Sequence, residues 1–245
     1  METVFKRTPT FKDRPTHYCP GCGHGIAHRL VAEVIDELDI RGRTIGIAPV
    51  GCSVLLYDYL DVDIIEVAHG RAPAVATGMK RTNPDKIIFS YQGDGDLAAI
   101  GTAEIIHAAN RAEKITVIFI NNAVFGMTGG QMAPTTILGQ VTTTTPKGRQ
   151  ASGEGYPLKI SELLAVLPGA IYIERCSLHN PAQIRNTKKA VMHAFELQLN
   201  NAPGLSLVEI LSPCPTYWRM SPAKAMEWME TEMTKAFPVG RLKEF

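Results

Sequence analysis

The sequence lacks the features that would direct it to a membrane or to nucleic acid. No apolar run approaches the roughly 18 residues that a bilayer-spanning helix needs. Residues 1–8 carry no long apolar stretch after their positive charges, so we expect no secretion signal. Charge is almost balanced, with 25 Lys and Arg against 24 Asp and Glu, which argues against a nucleic-acid-binding surface. We therefore expect a cytoplasmic protein.

Cysteine is scarce, with five residues in a chain of 245. In a reducing compartment we expect these thiols to be ligands, nucleophiles or buried apolar groups rather than disulfides. Internal repeats and the tandem Cys-x-x-Cys-x-x-Cys runs of ferredoxins are also missing. Because 45% of the residues are hydrophobic, the chain can build a sizeable core. We expect one α/β domain over residues 1–245.

Strand and helix patterns alternate along the chain. Apolar spacing predicts helices over 25–38, 72–81, 97–112, 161–167 and 181–199. Buried-strand patterns cover 44–48, 64–68, 86–91, 115–120, 170–174 and 205–211. We expect an extended arm over 1–18 and a helical tail over 221–245, where three methionines line one face. Residues 123–159 predict a long loop, and its place after a strand favours a functional role.

Two polar motifs follow neighbouring predicted strands. Asp94 lies between two glycines after the first strand, and Asn121-Asn122 follow the second. Carboxylate and carboxamide oxygens are hard ligands, and Mg²⁺ usually combines one or two of them with phosphate oxygens and water. The glycines permit close backbone approach, and the helix start at Leu97 offers free N–H groups to a phosphate. The pattern therefore predicts a Mg²⁺–diphosphate site, although isolated turn chemistry would use the same residue types.

Four of the cysteines have a pattern typical of a metal centre. Cys19 and Cys22 form a Cys-x-x-Cys knuckle, and Cys52 and Cys214 each follow a predicted strand. Four thiolates from such loops would suit either zinc or an iron–sulfur cluster, and their spacing does not choose between them. A redox dithiol with two core cysteines also remains open. Cys176 has no matching partner, and we expect it to be a buried thiol.

The motifs together resemble a known family. Gly-Asp-Gly with Asn122 placed 28 positions after Asp94 resembles the motif of thiamine diphosphate enzymes. The neighbouring segments 18–24, 51–53, 69–71 and 126–131 are similar to the β subunit of 2-oxoacid:ferredoxin oxidoreductases. The resemblance covers about residues 15–220. It implies a three-layer α/β fold of the diphosphate-binding type, with a mainly parallel sheet and helices on both faces.

The resemblance also implies roles for individual residues. Mg²⁺ would be bound by Asp94, Asn122 and the backbone carbonyl of Val124, whereas Asn121 is not expected to be a ligand. A [4Fe–4S] cluster would be held by Cys19, Cys22, Cys52 and Cys214. The backbone N–H groups of Gly95, Asp96 and Leu97 would lie near the diphosphate. Further cofactor contacts are expected from Gly51, Ser53, His69, Gly93, Gly126, Met127 and Thr128. His69 and Thr128 are the catalytic candidates. Arg71 is a weaker candidate for a cofactor or substrate contact, and His24 has no assigned role.

The implied activity is the oxidative decarboxylation of a 2-oxoacid to acyl-CoA and CO₂. Thiamine diphosphate, Mg²⁺ and the cluster would be cofactors, coenzyme A a co-substrate, and ferredoxin the electron acceptor. Implied partners are an α subunit with the pyrimidine-binding domain and a ferredoxin or ferredoxin-like small subunit, in a dimer of heteromers. A non-oxidative decarboxylase or carboligase subunit and a zinc-stapled structural subunit remain alternatives. Residues 53–56 contain no basic residue, and the sequence does not rank pyruvate, 2-oxoglutarate and branched substrates.

Overall fold

One twisted sheet organises the chain. The structure is a computed structural model and describes residues 6–245. Its strands are β1 (Thr44–Ala48), β2 (Asp63–Glu66), β3 (Ile87–Gly93), β4 (Thr116–Asn121), β5 (Ala170–Ser177), β6 (Leu205–Leu211) and β7 (Gly240–Glu244). Their order is β2-β1-β3-β4-β6-β5-β7, and every neighbouring pair is parallel except β5 and β7.

Helices connect the strands and cover the sheet. They are α1 (His24–Glu37), α2 (Leu56–Tyr59), α3 (Ala72–Thr82), α4 (Thr102–Asn110), α5 (Ala151–Glu154), α6 (Ile160–Ala165), α7 (Pro181–Leu199), α8 (Pro215–Trp218), α9 (Pro222–Trp228) and α10 (Thr234–Ala236). Two π-helical segments, Asp96–Ile100 and Met229–Met233, precede α4 and α10. Within residues 6–245, no helix combines the length and apolar character needed to cross a bilayer.

Both faces of the sheet are buried, which explains the continuous apolar runs of its central strands. Side chains alternate between the faces along each strand. On β4, Ile118 and Ile120 pack with α1 and α7, whereas Val117 and Phe119 pack with α3, α4 and α6. The result is the three-layer arrangement predicted from the sequence.

Most predicted elements are confirmed, and three differ. The strand predicted over 64–68 as buried is the edge strand β2, and its side chains are half-buried or exposed. The helix predicted over 97–112 is divided at Gly101 into a π-helical turn and α4. The tail predicted as helical over 221–245 is helical only as far as Ala236. Its last residues form β7, which pairs with β5. The sequence of β7 is mostly polar, so it gives no local sign that the segment pairs with a distant strand.

The predicted amino-terminal arm has little regular structure. Residues 12–18 form no helix or strand, and Phe11 makes an isolated bridge to Leu60. Thr10 donates to the Asp36 carboxylate at 2.6 Å, which ties the arm to α1. Residues 1–5 of the predicted arm lie outside the described residues.

Candidate active site

Asp94 lies directly after β3 at the carboxyl edge of the sheet. Its side chain is buried. One carboxylate oxygen accepts a hydrogen bond from the Gly95 N–H at 2.8 Å, and the other accepts one from the Thr135 hydroxyl at 2.7 Å. Burial raises the pKa of Asp94 to about 6, although these hydrogen bonds favour the charged form. The long loop that contributes Thr135 therefore reaches the carboxyl edge of the sheet, and its functional role stays a prediction.

Asn122 and Val124 follow β4, the neighbour of β3 in the sheet. Parallel pairing of Gly93 with Ile120 brings the ends of both strands to the same edge. Ala123 between them has a left-handed φ of 57°, which is uncommon for a residue other than glycine. Asp94, Asn122 and Val124 line one cavity, called here the cofactor cavity. A carboxylate, a carboxamide and a backbone carbonyl form a donor set that fits Mg²⁺.

The Asp96 carboxylate connects three segments around this cavity. It accepts hydrogen bonds from the Gly70 N–H at 2.9 Å, from His69 Nδ1 at 2.8 Å and from Gln92 Nε2 at 2.5 Å. The His69–Gly70 turn is thereby fixed against the end of β3. Because the carboxylate only accepts, Nδ1 of His69 carries the proton and Nε2 is left free when the ring is neutral.

Most of the remaining sequence-predicted cofactor residues line the same cavity. They are Gly51, Ser53, His69, Gly93, Gly95, Asp96, Gly126, Met127 and Thr128. Leu97 differs, because its side chain is buried in the core with α3 and α4. The expected diphosphate contact of its N–H stays a prediction. Arg71 forms an ion pair with Glu104 on α4.

Two glycines in this cavity lie close to neighbouring side chains. A Cβ atom on Gly95 would lie 2.1 Å from the ring of Phe125, so no larger residue fits there without a shift. A Cβ atom on Gly126 would lie 3.0 Å from the sulfur of Cys52 and 3.8 Å from that of Cys214. Gly126 thus lies against the sulfur atoms of two of the cysteines.

The four cysteines with a metal-like pattern lie together. Cys19, Cys22, Cys52 and Cys214 line a second cavity, called here the cysteine cavity. They come from the knuckle before α1, the turn after β1 and the segment after β6. The Gly23 N–H donates to the Pro213 carbonyl at 3.3 Å, which joins the knuckle to the Cys214 segment. The His17 ring lies 2.9 Å from the Cys52 carbonyl and joins the knuckle to the remaining loop.

The protonation of these thiols follows from their burial. Burial raises the pKa of Cys22 to about 11 and the pKa values of Cys52 and Cys214 to about 12. The charge of Cys22 raises the pKa of Cys52 further, which reflects their proximity. Among residues 6–245, no three His, Cys, Asp or Glu side chains are arranged to hold a single metal ion.

The two cavities share a wall. Cys52, Asn122 and Gly126 line both of them. An electron donor in the cofactor cavity would therefore lie next to any redox group held by the cysteines.

Comparisons with known proteins identify the family of this chain. Residues 50–210 match the thiamine pyrophosphate enzyme C-terminal TPP binding domain. The chain is 36% identical over 216 residues to the 2-oxoglutarate synthase subunit KorB of Archaeoglobus fulgidus, covering 88% of this chain and 76% of that protein. The chain belongs to the 2-oxoacid:ferredoxin oxidoreductase subunit family.

The chain is also similar to two further members of this oxidoreductase family. The ketoisovalerate oxidoreductase subunit VorA of Methanothermobacter thermautotrophicus is 50% identical over 244 residues, with 100% of this chain and 51% of that protein covered. The chain thus spans about half the length of that relative. A 2-oxoglutarate:ferredoxin oxidoreductase from Magnetococcus marinus, solved with 2-oxoglutarate, coenzyme A and succinyl-CoA bound, matches with a TM-score of 0.77 and 27% identity. That match covers 99% of this chain and 86% of the other.

The remaining cysteine lies elsewhere in this oxidoreductase-family fold. Cys176 is on β5 and is 3% exposed, and its sulfur lies 3.9 Å from a Glu174 oxygen. It does not line the cysteine cavity. The prediction of a buried thiol is confirmed.

Three lining residues of the cofactor cavity, His24, Val50 and Phe125, were missed from the sequence. His24 lines the cofactor cavity, and its Nδ1 lies 3.0 Å from the Tyr91 hydroxyl. Burial lowers the pKa of His24 to about 3, so the ring is neutral at physiological pH. It stacks on Tyr18, which lines the cysteine cavity, with ring centroids 4.9 Å apart. The place of His24 directly after the knuckle is the signal that could have identified it.

Proposed function

We propose that this chain is the β-type subunit of a 2-oxoacid:ferredoxin oxidoreductase. It acts in the oxidative decarboxylation of a 2-oxoacid to acyl-CoA and CO₂, and electrons pass through a [4Fe–4S] cluster to ferredoxin. The observation that carries this proposal is the wall of Cys52, Asn122 and Gly126 shared by the two cavities. The coenzyme A bound in the Magnetococcus marinus relative supports an acyl-CoA product.

The cofactor cavity would hold thiamine diphosphate through Mg²⁺. Asp94, Asn122 and the Val124 carbonyl would bind the ion, and the segment from Gly95 to Leu97 would face the diphosphate with its backbone. When bound, thiamine diphosphate supplies the nucleophilic carbon that attacks the 2-oxo carbon and the electron sink for decarboxylation. The chain's own contribution would be to orient that group and to exclude water with side chains such as Phe125, which lines the cavity.

His69 is the best placed proton-handling group. Asp96 accepts from its Nδ1 at 2.8 Å, so the neutral ring has Nε2 free to accept a proton. Its side chain is 34% exposed and borders the cavity. Thr128 is a second candidate, although its hydroxyl donates to Gln131 at 2.7 Å. His24 is neutral and would contact the cofactor rather than a substrate carboxylate.

The lining of the cofactor cavity favours an apolar 2-oxoacid. Its lining residues contain no Lys or Arg, and Val50, Phe125 and Met127 give it apolar surface. A dicarboxylate such as 2-oxoglutarate would need a second cationic partner, whereas a branched aliphatic chain would not. The higher identity to the ketoisovalerate relative than to the 2-oxoglutarate relative points the same way. We therefore propose a branched-chain 2-oxoacid as the substrate class.

Activity would require partner chains. A pyrimidine-binding domain, supplied by an α subunit, would complete the thiamine site, and a ferredoxin or ferredoxin-like small subunit would take electrons from the cluster. The relatives are named as subunits, which supports an assembly, and we propose a dimer of heteromers in the cytoplasm.

Anaerobic isolation of the complex tests the proposal. We expect a broad brown absorbance that bleaches with dithionite, about four irons per chain, and ferredoxin reduction dependent on a branched 2-oxoacid and coenzyme A. Colourless protein that contains zinc would support the structural alternative. Iron-free protein that still decarboxylates without reducing ferredoxin would support the non-oxidative alternative.

A further inference from the structure

A row of buried polar side chains runs across three neighbouring strands to the turn that carries Asn122. Asn121 is the last residue of β4, Glu209 is on β6, and Arg175 is on β5 directly opposite Glu209 in the strand register. Each of these three residues is 2% exposed or less. The row lies on the face of the sheet covered by α6.

Glu209 is the centre of this row because its carboxylate accepts from three side chains. One oxygen accepts from Asn121 Nδ2 at 2.7 Å. The other accepts from Arg175 Nε at 2.7 Å and from the Ser161 hydroxyl at 2.5 Å. The guanidinium of Arg175 also donates to Glu162 at 3.0 Å. Glu209 is therefore fixed in place by charge-assisted hydrogen bonds from both sides.

The fixed carboxylate determines how the Asn121 amide is oriented. A carboxylate has only acceptors, so the NH₂ group of Asn121 must face Glu209. The amide oxygen then faces the other way and accepts from the Ala123 N–H at 3.2 Å. That bond closes the left-handed turn at Ala123, which sets the directions of Asn122 and Val124.

The long loop holds the same turn from its other side. The Ala123 carbonyl accepts from the Thr136 hydroxyl at 2.7 Å and from Gln140 Nε2 at 3.1 Å. The turn is thus held by side chains at both its N–H and its carbonyl. Replacing a buried ion pair by apolar residues is often neutral for stability, so stability alone does not account for a charge at residue 209.

We propose that Glu209 is a positioning residue, which acts through Asn121 to hold the turn that presents Asn122 and Val124 to the metal. The inference rests on the proposed function, because it assigns a role toward Mg²⁺ and thiamine diphosphate. Outer partners of metal ligands typically change metal affinity by about 10–100-fold when they are removed. Glutamine at residue 209 has one acceptor oxygen for three donors, so it cannot maintain the Asn121 orientation and the Arg175 contact together.

The test compares Glu209→Gln with Glu162→Gln in the full chain within its complex. Both changes neutralise a carboxylate that contacts Arg175, but only Glu209 contacts Asn121. We expect Glu209→Gln to weaken thiamine diphosphate binding in Mg²⁺ by about tenfold or more, measured by calorimetry, and Glu162→Gln to stay within about twofold of the wild type. Equal affinities in the two variants, with equal thermal unfolding midpoints, would overturn the proposal.

A double-mutant cycle separates positioning from general destabilisation. If Glu209 acts through Asn121, the variant with Glu209→Gln and Asn121→Ala should bind the cofactor as Asn121→Ala alone does, within about twofold. Affinity losses that multiply in the double variant would contradict the inference.

Amide hydrogen exchange gives a readout that does not require bound cofactor. In peptides covering residues 121–125, Glu209→Gln should accelerate exchange at Ala123 by about tenfold relative to Glu162→Gln. Unchanged exchange would rule out the positioning role even if Glu209→Gln weakens cofactor binding. Failure of the wild-type complex to bind thiamine diphosphate, with the exchange effect present, would overturn the proposed function but leave the link from Glu209 to the turn.

Discussion

The cofactor cavity and the cysteine cavity share a wall but are built in different ways. Asp94 and Asn122 come from one strand–helix–strand unit, and their turns are fixed by buried hydrogen bonds. The cysteine cavity draws on residues 19–22, 52 and 214, which three separate segments contribute. Burial raises the pKa values of Cys22, Cys52 and Cys214, so without a metal these thiols stay protonated. The comparison teaches that hydrogen bonds within the chain fix the turns of the cofactor cavity, whereas the cysteine cavity gathers thiols from three separate segments.

The largest effect is expected from a substitution that changes only the cysteine cavity. Cys214 lines only the cysteine cavity, and Cys214→Ser removes one thiolate from the proposed cluster, so we expect the brown absorbance to disappear and ferredoxin reduction to fall by about 100-fold or more. Thiamine diphosphate affinity should change far less, because Asp94 and Asn122 remain. Absorbance spectra, iron analysis and calorimetry measure these three quantities.

Cys176→Ser is the matched control for that experiment. Cys176 is buried, as Cys214 is, but lies on β5 outside both cavities. Its iron content should equal that of the wild type. Equal loss of iron in both variants would contradict the assignment of the cysteine cavity.

The next largest effect is expected from a substitution that changes only the cofactor cavity. Asp94→Asn removes the one carboxylate among the proposed Mg²⁺ ligands, and we expect thiamine diphosphate affinity to fall by about 100-fold while iron content is retained. The exposed Asp63→Asn on β2 is the control and should have no effect. Calorimetric titration in Mg²⁺ measures the affinities, and wild-type binding by Asp94→Asn would exclude this ligand.

A change at the shared wall should disturb both ends together. A methyl group at residue 126 would lie 3.0 Å from the Cys52 sulfur. Gly126→Ala should therefore destabilise the loaded protein by about 1–3 kcal/mol and lower both iron content and cofactor affinity. Gly25→Ala, with nothing within 4 Å of the new methyl group, is the control. A decrease in iron content alone, or in cofactor affinity alone, would contradict the shared wall.

The smallest expected effect is the pH dependence of binding in the cofactor cavity. Burial raises the pKa of Asp94 to about 6, so the carboxylate becomes protonated as pH falls through that value. Mg²⁺-dependent binding should weaken below pH 6 by about tenfold per pH unit. The folded chain favours the neutral acid, so Asp94→Asn should leave the unliganded fold at least as stable at pH 7.

Thr135→Val tests the cause of that pH dependence. The Thr135 hydroxyl donates to Asp94 at 2.7 Å, and its loss removes a bond that favours the charged form. The midpoint of the binding profile should move upward by about one pH unit. The exposed Thr143→Val is the control, and an unmoved midpoint in Thr135→Val would exclude this hydrogen bond as a determinant.

The same contrast explains how far the sequence predicted the site. Asp94 and Asn122 could be predicted because a local strand–helix–strand pattern places them on one edge of the sheet. Bringing Cys52 and Cys214 to the same cavity depended on a family resemblance, since spacing does not specify contacts between distant segments. The role of Glu209 was not foreseen, because an isolated glutamate in an apolar strand gives no sign of its contact with Asn121.

The fold shows the same division between local and distant information. Continuous apolar runs predicted the central strands, such as β4 and β6, because both faces of these strands are buried. β7 was missed because its sequence, Gly-Arg-Leu-Lys-Glu, is mostly polar and becomes a strand only by pairing with β5. β2 was predicted to be a buried strand but lies at the edge of the sheet. An apolar run does not reveal whether a strand has neighbours on both sides.

The adjacency of the two cavities is tested most directly by magnetic resonance. Mn²⁺ favours the same oxygen ligands as Mg²⁺ and can replace it together with thiamine diphosphate in the anaerobic complex. We predict that stoichiometric Mn²⁺ will strongly accelerate the electron-spin relaxation of the dithionite-reduced cluster, and that Asp94→Asn will abolish this effect. Unchanged relaxation with Mn²⁺ and cofactor fully bound would contradict the shared wall.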